Sequence, residues 1–511
     1  MQFRNRIKLD ELNELTMALA DSISPKDQER LEKNLNNWNF YEGFHWEKIP
    51  TTNKPQITKN YCRAFVDKFV AFEFGKGFSI KVPVEDKSQS EENIEGTPIT
   101  DFLNEVWNYN EKLKLCVEIG QSKSVTGDAW VYVHFERPGE FDDPYEEYPE
   151  GRIRIQNMSN SVCFPEYDDH DKDKLTKFTV MYPISKKEES PILKTIKIKQ
   201  VLYKVTYTKD RVITEVGKEV IGDIPNPYGV IPFVKITNMP LANKSDGISD
   251  LDDIIPLNVE LNLKDSDISE IIDYHSAPVT IVYGAKLNSL EKGANKMWGG
   301  LPKDARVENL TMNTDLGASV TYTSTIKTAM HEIGNVPENA LGGSQAISNT
   351  SGVALQIVNM PLIEKTRVKR LSSKKGIENI NKLILLIAKR EGLLEIPEGM
   401  KPRDFYNTEV TFLDTLPKDQ LIELQQIEAE MRLGIESRNG AMERLGKSPK
   451  KVLMELEEDF ENNPEFYGHD SKEDPTLNSG MLNGQTPGEE VRKATTGQNV
   501  KPETVAKQEK L

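Results

Sequence analysis

Three stretches carry residue types at spacings that chemistry could use. His331-Glu-Ile-Gly-Asn335 begins as a zinc-protease helix does, where two histidines four residues apart share one helical face and hold the metal. Asn335 stands where the second histidine is needed, so the ligand pair is lost and His331 reads as a surface or interface histidine. Asp169-His-Asp171-Lys-Asp173 imitates the first half of a calcium loop. Its sixth position is Lys174 in place of Gly and its twelfth is Val180 in place of Glu, which makes a charged hairpin tip the better reading. Gly342-Gly-Ser-Gln-Ala-Ile-Ser-Asn-Thr-Ser-Gly352 precedes a helix, as a phosphate cradle does. It lacks the Gly-Lys-Ser/Thr ending that supplies a cation and a metal-binding hydroxyl, and it follows a helix where a nucleotide loop follows a strand.

The carboxylates give no further lead. Among 81 Asp and Glu, the pairs Asp142-Asp143, Glu146-Glu147 and Asp252-Asp253 have no spacing that marks an acid/base couple or a nuclease metal site. The expectation is no catalytic residue, no metal site and no cofactor, hence not an enzyme. Cys62, Cys116 and Cys163 are widely spaced and in no CxxC pattern, so they read as reduced, buried thiols.

With 511 residues the chain has room for two to four domains. A net charge of −16 argues against a protein that coats nucleic acid, so DNA contact would need a local patch or weak, non-adhesive touch. No signal peptide is visible, and the most apolar run, Leu383-Ile-Leu-Leu-Ile-Ala388, is too short to span a bilayer. A soluble, cytoplasmic protein with no membrane partner is expected.

The elements that must position these stretches are read from periodicity and caps. Residues 8–38 are helical and charged, with Ser24-Pro25 as a cap-then-proline start. Residues 60–74 set Phe65, Val66, Phe69 and Val70 at helical spacing, end at Gly75-Lys-Gly77 and pass into a strand at Phe78. Two helices fill 99–125. Strands follow at 127–135, 152–156, 178–183, 196–208, 211–216 and 233–236, with acidic residues 139–150 as a loop. Residues 246–274 form a long amphipathic helix that Pro256 bends. Residues 277–322 are a compact α/β insertion: strand 279–283, helix 287–297, strand 306–311. A short helix, 323–334, ends at Val336-Pro337. Residues 409–413 are a strand returning to the first half, and 418–432, 437–445 and 449–460 are helices of a small bundle.

Residues 353–391 make a long helix with Pro361 and Gly376 as kinks, and at ~1.5 Å per residue it runs roughly 55–60 Å. It carries nine cations against three anions, concentrated in Lys365, Arg367, Lys369, Arg370, Lys374 and Lys375. Two readings stand: a solvated face with partners elsewhere in the chain, or a face that meets phosphate or an acidic neighbouring subunit.

The order of elements resembles the portal proteins of tailed double-stranded DNA bacteriophages, of the long-tailed siphophage type. The likeness runs from about Asn60 to about Glu458. It rests on Asn60-Tyr-Cys-Arg-Ala-Phe-Val-Asp-Lys-Phe-Val-Ala-Phe-Glu-Phe-Gly-Lys-Gly-Phe78 and Gly127-Asp-Ala-Trp-Val-Tyr-Val. It also rests on Tyr228-Gly-Val-Ile-Pro-Phe-Val-Lys-Ile-Thr-Asn238, Ser245-Asp-Gly-Ile-Ser-Asp-Leu251, Val336-Pro337 and Thr350-Ser-Gly-Val-Ala-Leu355, in that joint order.

The resemblance implies an α+β multidomain, portal-like fold. Its parts are a mixed α/β wing (1–245), a stem helix (246–276), a clip (277–322), a second stem helix (323–338) and a tunnel loop (339–352). The long basic helix (353–391), a return to the wing (392–417) and a helical crown (418–461) complete it, and residues 462–511, polar with few large apolar residues, are expected to be a disordered tail. It implies a ring, typically a dodecamer, at one capsid vertex of the virion, assembled in the host cytoplasm. The partners implied are transiently held double-stranded DNA, terminase, a head-completion or adaptor protein, and major capsid and scaffold proteins. The DNA-facing residues expected are Leu341, Gly342, Gly343, Gln345, Ile347, Asn349 and Thr350 of the loop, with Lys264, Lys327 and His331 at stem positions. An uncharged loop suits a conduit, because each neutralised phosphate adds affinity and drag. The competing reading is another self-assembling virion component that does not touch DNA; a packaging ATPase or nuclease lacks its motifs here.

Overall fold

The computed structural model describes residues 23–47, 55–82, 98–171, 173–189, 196–242, 244–276, 280–284, 303–309, 316–342, 356–397, 400–413, 420–445, 452–456 and 459. The chain divides into two compact units, Met1–Pro417 and Lys418–Leu511. The architecture is α+β, with antiparallel pairing throughout the described strands.

The first unit opens with α1 (Pro25–Glu42), capped by the Ser24 hydroxyl, which accepts from the Asp27 amide, and closed by Gly43 at φ +98°. The helix thus runs on into the aromatic residues that follow its charged stretch. Helix α2 (Tyr61–Phe74) is capped by Asn60, which accepts from the Arg63 amide. Strand β1 (Phe78–Lys81), α3 (Pro98–Tyr109) and α4 (Lys112–Thr126) lead to β2 (Asp128–Glu136). Strand β2 is the centre of a three-stranded sheet, flanked by β3 (Arg152–Met158) and β9 (Phe233–Thr237). A five-stranded sheet follows in simple meander order: β4 (Cys163–Tyr167), β5 (Leu175–Glu189), β6 (Ile196–Thr208), β7 (Arg211–Val216) and β8 (Glu219–Pro225). Strands β4 and β8 are not among the strands expected from the sequence. Strand β8 is exposed along almost its whole length, so no alternation of burial marks it.

Helix α5 (Ile254–Ser276) starts later than its apolar pattern predicts. Residues 246–253 are held in another shape by hydrogen bonds to the end of α4: Ser249 Oγ donates to the carbonyl of Val125 at 2.7 Å, and the Asp250 amide to that of Ser124 at 2.9 Å. Two glycines permit that contact. A Cβ on Gly127 (φ +91°) would lie 2.4 Å from the Gly247 oxygen, and one on Gly247 2.2 Å from the Gly127 oxygen. Pro256 therefore lies in the first turn of α5, where a missing amide costs little, and not at a bend in mid-helix.

Strands β10 (Thr280–Tyr283) and β11 (Arg306–Asn309) pair between α5 and α6 (Leu316–Gly334), and the helix expected at 287–297 lies outside the described residues. After a 3₁₀ turn, Glu338–Leu341, the long helix α7 spans Met360–Arg390. Pro361 occupies its first turn, so it starts the helix and does not kink it. Gly376 serves close approach: its Cβ would meet Ile236 Cγ1 of β9 at 2.5 Å. Helix α8 (Pro402–Phe405) precedes β12 (Glu409–Phe412), which returns to pair with β1 in the register Phe78↔Phe412 to Lys81↔Glu409.

Two cores result. One packs α3, α4 and the β2 sheet on the second half of α7, through Trp107, Val131, Ile236, Ile380 and Ile384. The other gathers α1, α2, α5 and α6 around Phe65, Phe69, Leu261, Met330 and Leu362. In the second unit, α9 (Gln420–Arg432) and α10 (Arg438–Arg444) are joined by Arg444, which bridges Glu430 at 2.5 Å and Glu436 at 3.1 Å.

Candidate functional site

Helices α5 and α6 pack on one another, and α6 leads through the turn at 338–342 toward α7. Helix α5 is held to the rest of its core by a polar ladder one turn apart. Asn258 Oδ1 accepts from the amides of Tyr61 (3.1 Å) and Cys62 (3.3 Å), Asn262 Oδ1 from Lys59 (2.9 Å), and Ser266 Oγ from Ile57 (3.1 Å). Residues at i, i+4 and i+8 share a helix face, so this face reads the backbone of an extended segment. Asn258 and Asn262 are essentially fully buried. Lys59 adds an ion pair to Asp265 at 2.7 Å.

The expected stem residues have different surroundings. Lys264 is 40% exposed on α5, between Glu260 at 3.7 Å and Asp267 at 3.5 Å. Lys327 pairs with Glu338 and so ties α6 to the 3₁₀ turn. His331 is not on an open face: it is buried, its Nδ1 donates to the Val336 carbonyl at 2.7 Å, and its ring packs against Tyr61 and Phe65 at 5.9 and 5.4 Å. The aromatic residues of α2 draw it into the core, so within the single chain it is not a surface histidine.

Of the expected loop residues, Leu341 is half-buried against the α2–α5–α6 core. Gly342 closes the 3₁₀ turn at φ +91° with open space around its Cβ direction. Gly343, Gln345, Ile347, Asn349 and Thr350 lie outside the described residues.

The basic helix does not form one continuous cationic face. Lys369 is wholly buried, 2.6 Å from Asp250 and 2.7 Å from Ser124 Oγ. Lys365 reaches the other Asp250 oxygen at 3.1 Å, and both ammonium groups lie over the Phe69 ring, at 4.2 and 4.8 Å. Burial alone would push the Asp250 carboxyl upward in pKa; the two lysines outweigh it and hold the carboxyl below its ordinary value. Arg370 donates to the carbonyls of Phe72 (2.8 Å), Glu73 (3.2 Å) and Leu413 (3.0 Å), which pins α7 to α2 and to the chain just past β12. Lys374 stands 3.5 Å from Glu409. Only Arg367 and Lys375 of the group are fully at the surface.

A second buried pair is not among the expected site residues. Lys123 of α4 meets Glu73 of α2 at 2.5 Å with both side chains at 0% exposure, and Ser373 of α7 bonds both, at 2.7 and 2.6 Å. Burial lowers the Lys123 pKa, and Glu73 opposes that shift. The sequence does carry a signal for it: Glu73 follows Phe69 and Val70, and Lys123 follows Ile119 and Cys116, at core positions of their helices. These clusters knit α2, α4 and α7 together and expose no reacting atom. Asp168, at the hairpin tip between β4 and β5, spends its carboxylate on the His170 amide (3.0 Å) and Lys174 (2.9 Å). Among the described residues no group of three or more His, Cys, Asp or Glu is arranged to hold a metal, and no helix is long and apolar enough to cross a membrane.

The buried clusters join elements of the first unit, and the comparison with known families names the chain's relatives. Residues 20–463 match the family described as phage portal protein, SPP1 Gp6-like. The chain belongs to the phage portal protein family. No curated protein matches it. Membership supports a phage portal role, and the family implies a structural, homo-oligomeric component of the virion capsid vertex. As a portal chain, it turns its buried ion pairs to holding the long helix against the sheet-bearing half.

Proposed function

We propose that twelve copies of the chain form a ring at one vertex of the capsid, through which double-stranded DNA passes during packaging and ejection. The ring docks terminase during packaging and a head-completion or adaptor protein afterwards. In this reading residues 1–245 are the wing, 246–276 and 323–338 the two stem helices, 277–322 the clip, 339–352 the tunnel loop, and 418–461 the crown.

The observation that carries this reading is the packed pair α5 and α6 with the β10–β11 hairpin between them in sequence, continuing through Gly342 into an uncharged loop and then α7. Apolar residues left at the surface support self-assembly: Val320, Tyr322 and Ile333 of α6, and Met360, Val368 and Leu371 of α7. In the loop, Leu341, Gln345, Ile347 and Asn349 can touch the DNA backbone without neutralising phosphate, and Gly342, Gly343 and Gly352 allow it to change shape. In this reading Lys264 is a stem cation that would face DNA, and its two carboxylate neighbours, Glu260 and Asp267, would temper its pull.

Negative-stain microscopy of the purified protein tests the ring. A turbine-shaped particle with a central hole wide enough for duplex DNA is expected, and a monomer or filament overturns the reading. Deleting residues 342–351 is expected to leave rings intact and to block or misregulate packaging. Normal packaging by that variant would remove the loop from its role.

A further inference from the structure

A cavity of about 830 Å³ opens between the β2–β9 part of the sheet and the middle of α7. Tyr167, Leu383, Leu386 and Tyr406 give it an apolar wall; its charged lining is Lys375, Lys382, Asp173 and Lys235, the last already paired with Asp128 and Asp246. Lys375 is 66% exposed with only a 3.8 Å contact to Glu378, and Lys382 has no anionic partner among the described residues. The groove therefore suits an aromatic side chain carried on an acidic segment.

The same chain carries such a segment. Between Gly139 and Glu150, in the loop joining β2 to β3, stand six carboxylates and no cation. Asp143 is engaged inside the loop by the amides of Glu147 (3.1 Å) and Tyr148 (2.8 Å), whereas Asp142, Glu146 and Glu150 have no ionic partner among the described residues. Tyr148 packs against Tyr109 with ring centres 5.0 Å apart, which anchors the base of the loop. At its apex Tyr145 is 81% exposed, more than any other large hydrophobic residue described.

Loop and groove lie toward opposite ends of β2. Trp130 lines the groove and Glu136 enters the loop, so at ~3.3 Å per residue the two are roughly 20 Å apart along the strand. We propose that Tyr145 of one copy seats in this groove of the next copy, with Lys375 and Lys382 meeting the carboxylates around it. The contact rests on the ring reading above and specifies one of its joints. Two different patches on one chain make a head-to-tail contact, which closes into a ring when the rotation allows. A buried tyrosine is a common energetic anchor of interfaces, and the surrounding charges set register and encounter rate.

Disulfide trapping in the full chain tests it. Tyr145→Cys and Asn379→Cys, the latter also lining the groove, are combined; the native thiols Cys62, Cys116 and Cys163 are buried and do not compete. Mild oxidation is expected to yield a ladder of covalent multimers on a non-reducing denaturing gel. Each single variant gives no ladder, and a mixture of the two singles stops at dimers. Lys375→Glu with Lys382→Glu in the trapping background is expected to lose the ladder, and Glu146→Lys with Glu147→Lys added to restore it. If the double-cysteine chain forms rings and gives no ladder, the groove belongs to another occupant and the proposal fails while the ring stands. If wild-type chains form no ring, the ring reading itself fails.

Discussion

Lys369 donates to the Asp250 carboxylate across 2.6 Å, with the two side chains 0% and 1% exposed. Both are out of water, so neither charge has an alternative partner of comparable quality beyond Lys365 and Ser124. Taking one partner away is thus more damaging than replacing both. Asp250→Ala is expected to lower stability by about 3–5 kcal/mol, because the Lys369 charge is left buried and unpaired. The double change Lys369→Met with Asp250→Leu is expected to recover most of that loss, read from urea midpoints of the three variants.

The same pair sets a pH dependence. The folded-state pKa of Asp250 lies below its ordinary value, so its contribution is complete above the unfolded pKa of about 3.9 and is lost as pH falls through the folded value. Wild-type stability minus that of Asp250→Asn is expected to be constant from pH 7 to about 5 and to shrink as the pH drops below about 4. Denaturation curves of both proteins across that range measure it.

Gly376→Ala reverses the usual sign of a helical glycine substitution. In an open helix interior the change stabilises by about 1 kcal/mol. Here the new methyl would stand 2.5 Å from Ile236 Cγ1, and overpacking of this kind costs about 1–3 kcal/mol. A lower melting temperature is expected, and the loss is expected to be smaller when Gly376→Ala is made in an Ile236→Val background than in the wild type.

Asn258→Ala strips the acceptor from the amides of Tyr61 and Cys62 at the start of α2. Leaving buried donors unmatched costs about 1–3 kcal/mol. Hydrogen exchange is expected to speed up at Tyr61 and Cys62 and along the segment ahead of them, with little change in β6 and β7.

Features with a local cause are legible in the sequence. Ser24 caps its helix as its side chain dictates, β6 and β7 keep the bounds their alternation implies, and β12 pairs with the first half of the chain. The metal-ligand motifs fail on residues read directly from the chain, Asn335 in one and Lys174 with Val180 in the other.

Placement of charge is not legible. Lys365, Arg367, Lys369, Arg370, Lys374 and Lys375 look alike in sequence, yet one is wholly buried, two are at the surface and Arg370 is spent on three carbonyls. Their fates depend on Asp250, on Glu409 and on the backbone of 72–73, which lie tens to hundreds of residues away in the chain. Helical periodicity likewise misleads at 246–253, where hydrogen bonds to the end of α4 outweigh local preference. By itself the sequence determined where helices and strands can start, alternate and stop, because caps and periodicity act over a few residues. Only the tertiary structure decided which cations are buried and which stay in water, because desolvation depends on what distant elements bring alongside.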